Sequence, residues 1–316
     1  MIVALAGGVG GAKMAQGLDL ALSPGELTVV VNTADDFELY GLRISPDIDT
    51  VLYTLAGLAN PVTGWGIGGD TRHTLDAMAR LGEEAWFLLG DQDLATHILR
   101  TERLRGGASL SEITADFGQA LGLTACLLPM TDDPVATLVE TPDGILSFQD
   151  YFVRRRQTDD VLGVRFAGIE QARPGPAVLD AITAADLIVI CPSNPIVSVG
   201  PILSLPWIRP ALDETNAPVL AVSPIVGGRA IKGPADKMMA TLGREVSAYG
   251  IAELYAGLID GIVVDGEDRT LLSRIEGLGM RAIATQTIMG DAGDRRRLAA
   301  EVIAFGRSLA PVGVTP

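Results

Sequence analysis

The chain is poor in the side chains that build covalent or soft-metal sites, with two cysteines and two histidines in 316 residues. Cys126 and Cys191 stand far apart and form no C-x-x-C pair, so neither a disulfide framework nor a zinc ribbon finds support, and both read as small core hydrophobes. With only His73 and His97 present, a catalytic metal has to rest on carboxylates. Basic residues are scarce too: 24 Lys and Arg face 39 Asp and Glu, a net charge of −15. That balance opposes nucleic-acid binding, which needs clustered positive charge. The arginine triplets at 154–156 and 295–297 read as solvated or interface charge. No uninterrupted apolar run reaches the roughly 18 residues of a membrane span. Met1–Gly8 lacks the basic n-region of a secretory signal, so a cytoplasmic protein without membrane or nucleic-acid partners is expected. Aromatics make up 5%; Trp65, Trp86, Phe148, Tyr151 and Phe152 are either core or a wall for a flat heterocycle.

The chain is rich in apolar residues, at 48%, with only 20% charged, a composition that buries a large core. Short apolar runs recur at 2–6, 27–31, 85–89, 124–128, 186–191, 218–223 and 261–264, each followed by a helix-like stretch. Strands alternating with helices predict an α/β, Rossmann-like three-layer fold on a largely parallel sheet. Between Val135 and Glu170 the rhythm changes to β-prone runs around a Pro142-Asp143-Gly144 turn, which predicts a small antiparallel insertion subdomain. The expected organisation is a core of residues 1–134 and 171–316 with a β-hairpin insertion at 135–170.

Parallel sheets bind ligands beyond the C-terminal ends of their strands, so the loops after the apolar runs are the candidate sites. The first reads Gly7-Gly8-Val9-Gly10-Gly11-Ala12-Lys13, where Gly8, Gly10 and Gly11 let backbone N–H groups approach a phosphate and Lys13 adds charge. It satisfies neither G-x-G-x-x-G nor the Walker pattern, which counts against a dinucleotide oxidoreductase and a P-loop NTPase; its plainer reading is a tight strand–helix turn. The second holds Asn32, Thr33, Asp35 and Asp36, followed by Asp47, Asp49 and Thr50. Four aspartates after a buried strand suit magnesium, a hard cation that takes oxygen ligands and substrate phosphates. Alternatively, Asp47 or Asp49 caps a helix from about Thr50 to Leu58. The third, Gly90-Asp91-Gln92-Asp93-Leu94-Ala95-Thr96-His97, offers a helix-capping Asp91 and a His97 that is either a general base or a structural hydrogen-bonder. Farther on, Asn194 between prolines and Gly228, Arg229 and Lys232 on the next loop present an amide and cations suited to a nucleotide diphosphate, or simply turn chemistry and solvated charge.

Taken together with Ser45-Pro46-Asp47-Ile48-Asp49-Thr50, Phe148-Gln149-Asp150 and Pro192-Ser193-Asn194-Pro195, these motifs resemble the 2-phospho-L-lactate transferase family of coenzyme F420 biosynthesis, CofD in archaea and FbiA in actinobacteria. The likeness runs from Ile2 to about Met289. It implies magnesium-dependent transfer of a phosphorylated three-carbon acid (lactyl, enolpyruvyl or glyceryl) from a guanosine diphosphate-linked donor to the ribityl hydroxyl of the deazaflavin Fo, releasing GMP. By the same resemblance Asp49 contacts Fo, and Asp35, Asp36 and Asp47 flank the metal and reacting phosphate. Asp36 and Asp49 are then the catalytic, cation-holding pair. Gly8, Gly10, Gly11, Lys13, Asn32, Thr33, Thr50, Asp91, Gln92, His97, Asn194, Gly228 and Arg229 line the substrates. A homodimer and a functional hand-over from the donor-forming guanylyltransferase are the expected partnerships.

The sequence departs from the family pattern at two places. Gln92 stands where members usually carry arginine, and Gly69 replaces an asparagine, both in motifs expected near substrate. The competing reading is a CofD-like regulatory protein of the gluconeogenesis-factor type that binds a nucleotide sugar without turnover; the Leu89–His97 and Phe148–Asp150 segments favour the transferase.

Overall fold

A computed structural model describes residues 1–309. Five-residue apolar runs form β1 (Ile2–Ala6) and β2 (Leu27–Val31), both buried along their whole length. They are joined by β5 (Cys126–Pro129), β9 (Leu187–Ile190), β10 (Val219–Val222), β13 (Gly261–Asp265) and β14 (Arg281–Thr285) in one seven-stranded sheet of order β14-β13-β10-β9-β1-β2-β5. Every pairing in it is parallel. Alternate residues of β1 serve opposite faces: Val3 and Leu5 pack under the helical segments between Val178 and Glu276, and Ile2, Ala4 and Ala6 pack under α1 (Gly8–Ala21), α2 (Pro46–Leu55) and the C-terminal helix Ala292–Leu309. The result is the expected three-layer α/β architecture, buried on both faces as a parallel sheet requires. Among the described residues no helix is long and apolar enough to cross a membrane.

β1 pairs with β2 on one side and β9 on the other, so the strand order reverses between β1 and β9. That switch point is where an open parallel sheet splays its loops into a crevice. The Gly7 loop and the Cys191–Asn194 loop leave the sheet there side by side: Gly7 N–H donates to Ser193 Oγ at 3.1 Å, and Ser193 Oγ donates back to Gly7 O at 2.8 Å.

Residues within 135–170 form a three-stranded antiparallel sheet of β6 (Ala136–Thr141), β7 (Gly144–Ser147) and β8 (Gly163–Ala167). Its own small core of Val139, Phe148, Tyr151 and Val161 docks on Val197 and Met238 of the main body. Of the expected core range 171–316, residues 310–316 lie outside the described residues.

The structure corrects two expectations. Residues 85–89 form no strand; they run as a loop between α3 (His73–Arg80) and α4 (Asp91–Arg105), where Phe87 and Leu89 fill a satellite core with Phe37, Ile44 and Leu94. A short apolar run can fill a core without joining a sheet. The helix placed at about 50–58 starts four residues earlier, at Pro46, so Asp47 and Asp49 sit inside its first turn rather than capping it. Proline at the first helical position costs no hydrogen bond, which explains the earlier start. It also adds strands that the apolar runs do not mark, among them the edge strand β14, whose arginine end is exposed, and the hairpin of β3 (Phe37–Leu39) and β4 (Leu42–Ile44). The hairpin's signal was legible as strict alternation around Tyr40-Gly41, whose φ values of 53° and 72° make the primed turn that twisted strands favour.

α1 and the C-terminal helix approach so closely that a Cβ on Gly17 would meet the backbone of Arg295. Alanine is the better helix former by about 1 kcal/mol. Gly17→Ala is nonetheless expected to destabilise the protein by roughly 1–3 kcal/mol in urea denaturation, because the backbone contact cannot yield; equal or higher stability would show that these helices are free to separate.

Candidate active site

The expected aspartates do lie in one region beyond β2, but as two pairs with different partners. Asn32, fully buried at the end of β2, donates from Nδ2 to Asp47 Oδ2 at 2.9 Å and Asp35 Oδ2 at 3.2 Å, while its Oδ1 accepts the Ala34 N–H. Asp47 in turn reaches the glycine loop: a Cβ on Gly7 would lie 2.5 Å from its Oδ2 and one on Gly8 3.9 Å from its Oδ1. Asp36 Oδ2 accepts Ser45 Oγ–H at 2.6 Å and pairs with Arg43 at 3.5 Å. Asp49 is gripped through both oxygens by the two terminal nitrogens of Arg100.

Arg100 was not anticipated, and it organises the second pair. It is the bulkiest side chain among the fully buried ones, 1% exposed, and stands one turn after His97 on α4. Its NH1 lies 3.4 Å from His97 Nδ1, which lies 3.6 Å from Asp49 Oδ2. On the other ring face His97 Nε2 lies 3.3 Å from Asp93 Oδ1, which accepts Tyr53 O–H at 2.7 Å. The spacing Asp93-His97-Arg100 places all three on one face of α4, a signal that helical periodicity could have supplied.

Among the described residues, the trio whose metal-ligating atoms converge within 4.8 Å is Asp49, Asp93 and His97. With Arg100 on both Asp49 oxygens, that trio already has its cation. No three of Asp35, Asp36, Asp47 and Asp49 converge so closely, so the expected four-aspartate cage is not preassembled. What fits a hard cation is different: Asp35 Oδ1 and Asp36 Oδ1 are buried carboxylate oxygens with no hydrogen-bond partner. Buried polar atoms are seldom left so. Magnesium commonly takes one or two carboxylates and completes its shell with water and phosphate, which these two oxygens suit.

Burial dominates the protonation of this region. It drives the Asp35 carboxyl well above the usual range, with Asp47 beside it adding to the rise. Burial also lifts Asp36 to about 7, against the opposing pull of Arg43 and Ser45, and Asp47 to about 6, against Asn32.

The whole chain can now be set beside known proteins. Residues 2–304 match the family model described as 2-phospho-L-lactate transferase CofD. The chain belongs to the CofD family. It is 44% identical over 302 residues to a 2-phospho-L-lactate transferase of Methanosarcina acetivorans, covering 96% of this chain and 98% of that one. It is 42% identical over 314 residues to a phosphoenolpyruvate transferase of Streptomyces avermitilis, covering 98% of both. A crystal structure of a UPF0052-family protein from Bacillus halodurans shares the fold with a TM-score of 0.62 at 17% identity, over 96% of this chain and 98% of that one. The protein is thus a member of a transferase family.

Within this CofD-family framework the remaining candidates divide. Gly10 and Gly11 are packed against Pro192 O and Ser193 Oγ, where no side chain would fit. Thr33 is buried with an unpartnered hydroxyl, and Thr50 is buried in α2. Asp91 does not cap its own helix; its carboxylate accepts the N–H groups of His73 and Thr74 at the start of α3, while Asp70 accepts those of Gln92 and Asp93 at the start of α4. This exchange of caps ties the two helices together and leaves the Gln92 side chain exposed. Gly69 has φ of 70°, a left-handed conformation that glycine and asparagine both tolerate, so its departure from the family pattern preserves the backbone. Asn194 closes its own turn, Oδ1 accepting the Ile196 and Val197 N–H groups, with Nδ2 against Met238 sulfur. Gly228 (φ 76°) and Arg229 form the exposed tip of the hairpin of β11 (Ile225–Val226) and β12 (Arg229–Ala230). Gln149, buried, donates from Nε2 to Asp35 O at 3.4 Å, bringing the insertion to the aspartates. Of the candidate aromatics, Trp86 packs edge-on to Phe87, Phe148 stacks on Phe152 and Tyr151 is buried, whereas Trp65 is 41% exposed.

Asp35, Asp36 and Asp47 bind protons more tightly folded than unfolded, so without a divalent cation the fold loses stability as pH rises from about 4 through about 7. Carboxylates held low, such as Asp91 and Glu112, titrate at the acidic edge of that range. In chelator the melting temperature should be higher at about pH 5.5 than at about pH 7.5 by at least roughly 2 °C, and Asp36→Asn should shrink the gap. A gap of opposite sign would show that these carboxylates are better solvated than the packing indicates.

Proposed function

We propose that the protein transfers a phosphorylated three-carbon acid (2-phospholactyl, phosphoenolpyruvyl or 3-phosphoglyceryl) from a guanosine diphosphate-linked donor to the ribityl hydroxyl of Fo, with release of GMP. The observation that carries this reading is the contact of Asp47 with Gly7 and Gly8. A phosphate cradled by the amides of Gly8, Gly10 and Gly11 would face the carboxylates of Asp47 and Asp35, and like charges so close require a cation between them. The unpartnered oxygens of Asp35 and Asp36 supply its ligands, with Asp47 and Asp49 completing the acidic surround. Magnesium bound there would offset charge on the transferring phosphate. Family relatives named as lactate-type and enolpyruvate-type transferases favour this reading over a nucleotide-sugar regulator.

In this scheme the chain's own groups position and deprotonate. Phosphoryl transfer asks chiefly for alignment and charge neutralisation, which backbone amides and fixed carboxylates supply. Asp49, immobilised by Arg100, orients the acceptor hydroxyl. Asp47, lifted to about 6, accepts its proton near neutral pH. Lys13, Asn194 and the Gly228–Arg229 tip hold the nucleotide half, with Thr33, Thr50 and His97 supporting the acidic side. The working form is a cytoplasmic homodimer that receives its labile donor from the enzyme that makes it.

Asp49→Asn is expected to lower turnover at limiting magnesium by about 100-fold or more, as loss of one charge-positioning group does; wild-type turnover would remove Asp49 from the mechanism. Gln92→Arg restores a permanent cation at an exposed position and should alter donor preference; identical relative kcat/KM for lactyl, enolpyruvyl and glyceryl donors would exclude that role.

A further inference from the structure

Arg43 is fastened at its backbone and free at its head. On β4 its N–H donates to Thr101 Oγ1 at 2.7 Å and its carbonyl accepts Arg100 NH1 at 3.5 Å, so α4 fixes the point from which the side chain leaves. The guanidinium makes no hydrogen bond among the described residues, and its ion pair is the 3.5 Å approach of NH2 to Asp36 Oδ2. Glu38, opposite Arg43 across the hairpin, forms no ion pair with it among the described residues. Five N–H donors thus share one carboxylate oxygen at long range, on a side chain that is 33% exposed.

A cavity of about 240 Å³ lies against that head. Thr33 lines it from the aspartate loop and Arg43 from β4, Leu104 and Leu110 give it an apolar wall, and residues 131–134 after β5 complete it. The two acids of that last segment are already engaged: Asp132 Oδ1 accepts the Ser111 N–H at 2.7 Å, and Asp133 Oδ2 accepts the Arg173 N–H at 2.8 Å. The Thr33 hydroxyl, by contrast, is buried with no partner. Buried polar atoms seldom go unpaired, and this one shares its cavity with an arginine fork that lacks a bidentate partner. Hydroxyl and fork together are donors for a carboxylate, and the leucines beside them suit the carbon atoms of a short organic acid.

We propose that Arg43, with Thr33, seats the carboxylate of the transferred three-carbon group and thereby selects an acid as the cargo of the donor. The inference rests on the transfer reaction proposed above and extends it to the end of the substrate opposite the nucleotide. Arg43 stands where such a reader is needed, touching Asp36 on one side and the cavity on the other. In the lactyl and enolpyruvyl groups the carboxylate is carried on the carbon that bears the ester oxygen, and in the glyceryl group one carbon farther. A carboxylate so close to the transferring phosphate falls beside the aspartates, where Arg43 is the cation that the protein has not committed to a hydrogen bond.

The test compares two donors in steady-state kinetics with Fo and magnesium: the guanosine diphosphate-linked lactyl donor and its carboxamide analogue, which keeps the shape and loses the charge. The enzyme is the full chain as wild type, Arg43→Met and Arg43→Lys, each checked by melting temperature. Wild type should prefer the acid in kcat/KM by about 100-fold, Arg43→Met by less than about 10-fold, and Arg43→Lys should fall between them, because lysine restores the charge without the fork. Losing Arg43 also leaves Asp36 unpaired, but that change acts on both donors and cancels in the ratio. Should Arg43→Met melt far below wild type, Thr33→Val decides the matter, with an expected drop in acid preference of about threefold or more. An acid preference equal to that of wild type in the folded variants would overturn the carboxylate seat and leave the transfer reaction standing. A wild type that turns over neither donor would overturn the transfer reaction, and the seat with it.

Discussion

The grip of Arg100 on Asp49 is the interaction on which the acidic crevice depends. It joins α4 to α2 and, through the Arg43 carbonyl 3.5 Å from Arg100 NH1, to β4. Without a fixed cation among Asp36, Asp49 and Asp93, three buried carboxylates would repel one another and the two helices would part. His97 lies between Asp49 and Asp93 and sets their spacing. The pair therefore shapes the acceptor side of the site before any ligand arrives.

Nearer the glycine loop the constraint is reversed. Asp35, Asp36 and Asp47 are desolvated by β2, α2 and the insertion, yet no arginine grips Asp35 or Asp47. On the proposed reading, a cation shared with a substrate phosphate at Gly7–Gly11 would offset that buried charge. One carboxylate pair is thus neutralised by the protein and the other left for the ligand.

Much of this was legible in the sequence. Continuous apolar runs at Ile2–Ala6 and Leu187–Ile190 revealed the parallel core, and the Pro142-Asp143-Gly144 turn revealed the antiparallel insertion, because period and turn chemistry are local. The position of the aspartates was legible for the same reason. Their partition was not: helical spacing puts Arg100 on the face of Asp93 and His97, but Asp49, which it grips, lies 51 residues away, a contact that only the fold creates. Residues 85–89 misled because a loop that fills a satellite core carries the same apolar signature as a strand. Asp91 misled because it caps α3, the preceding helix, across a contact that only the fold creates.

The most direct test of this account is a double-mutant cycle between Arg100 and Asp49, read by chemical denaturation. Arg100→Met leaves a buried, unpaired carboxylate and should cost about 3–5 kcal/mol, as should Asp49→Asn in the opposite sense. Removing both should cost much less than the sum, because neither charge is then left alone. Additive losses would contradict the account, showing that the two side chains contribute independently and that the crevice is held open by packing alone.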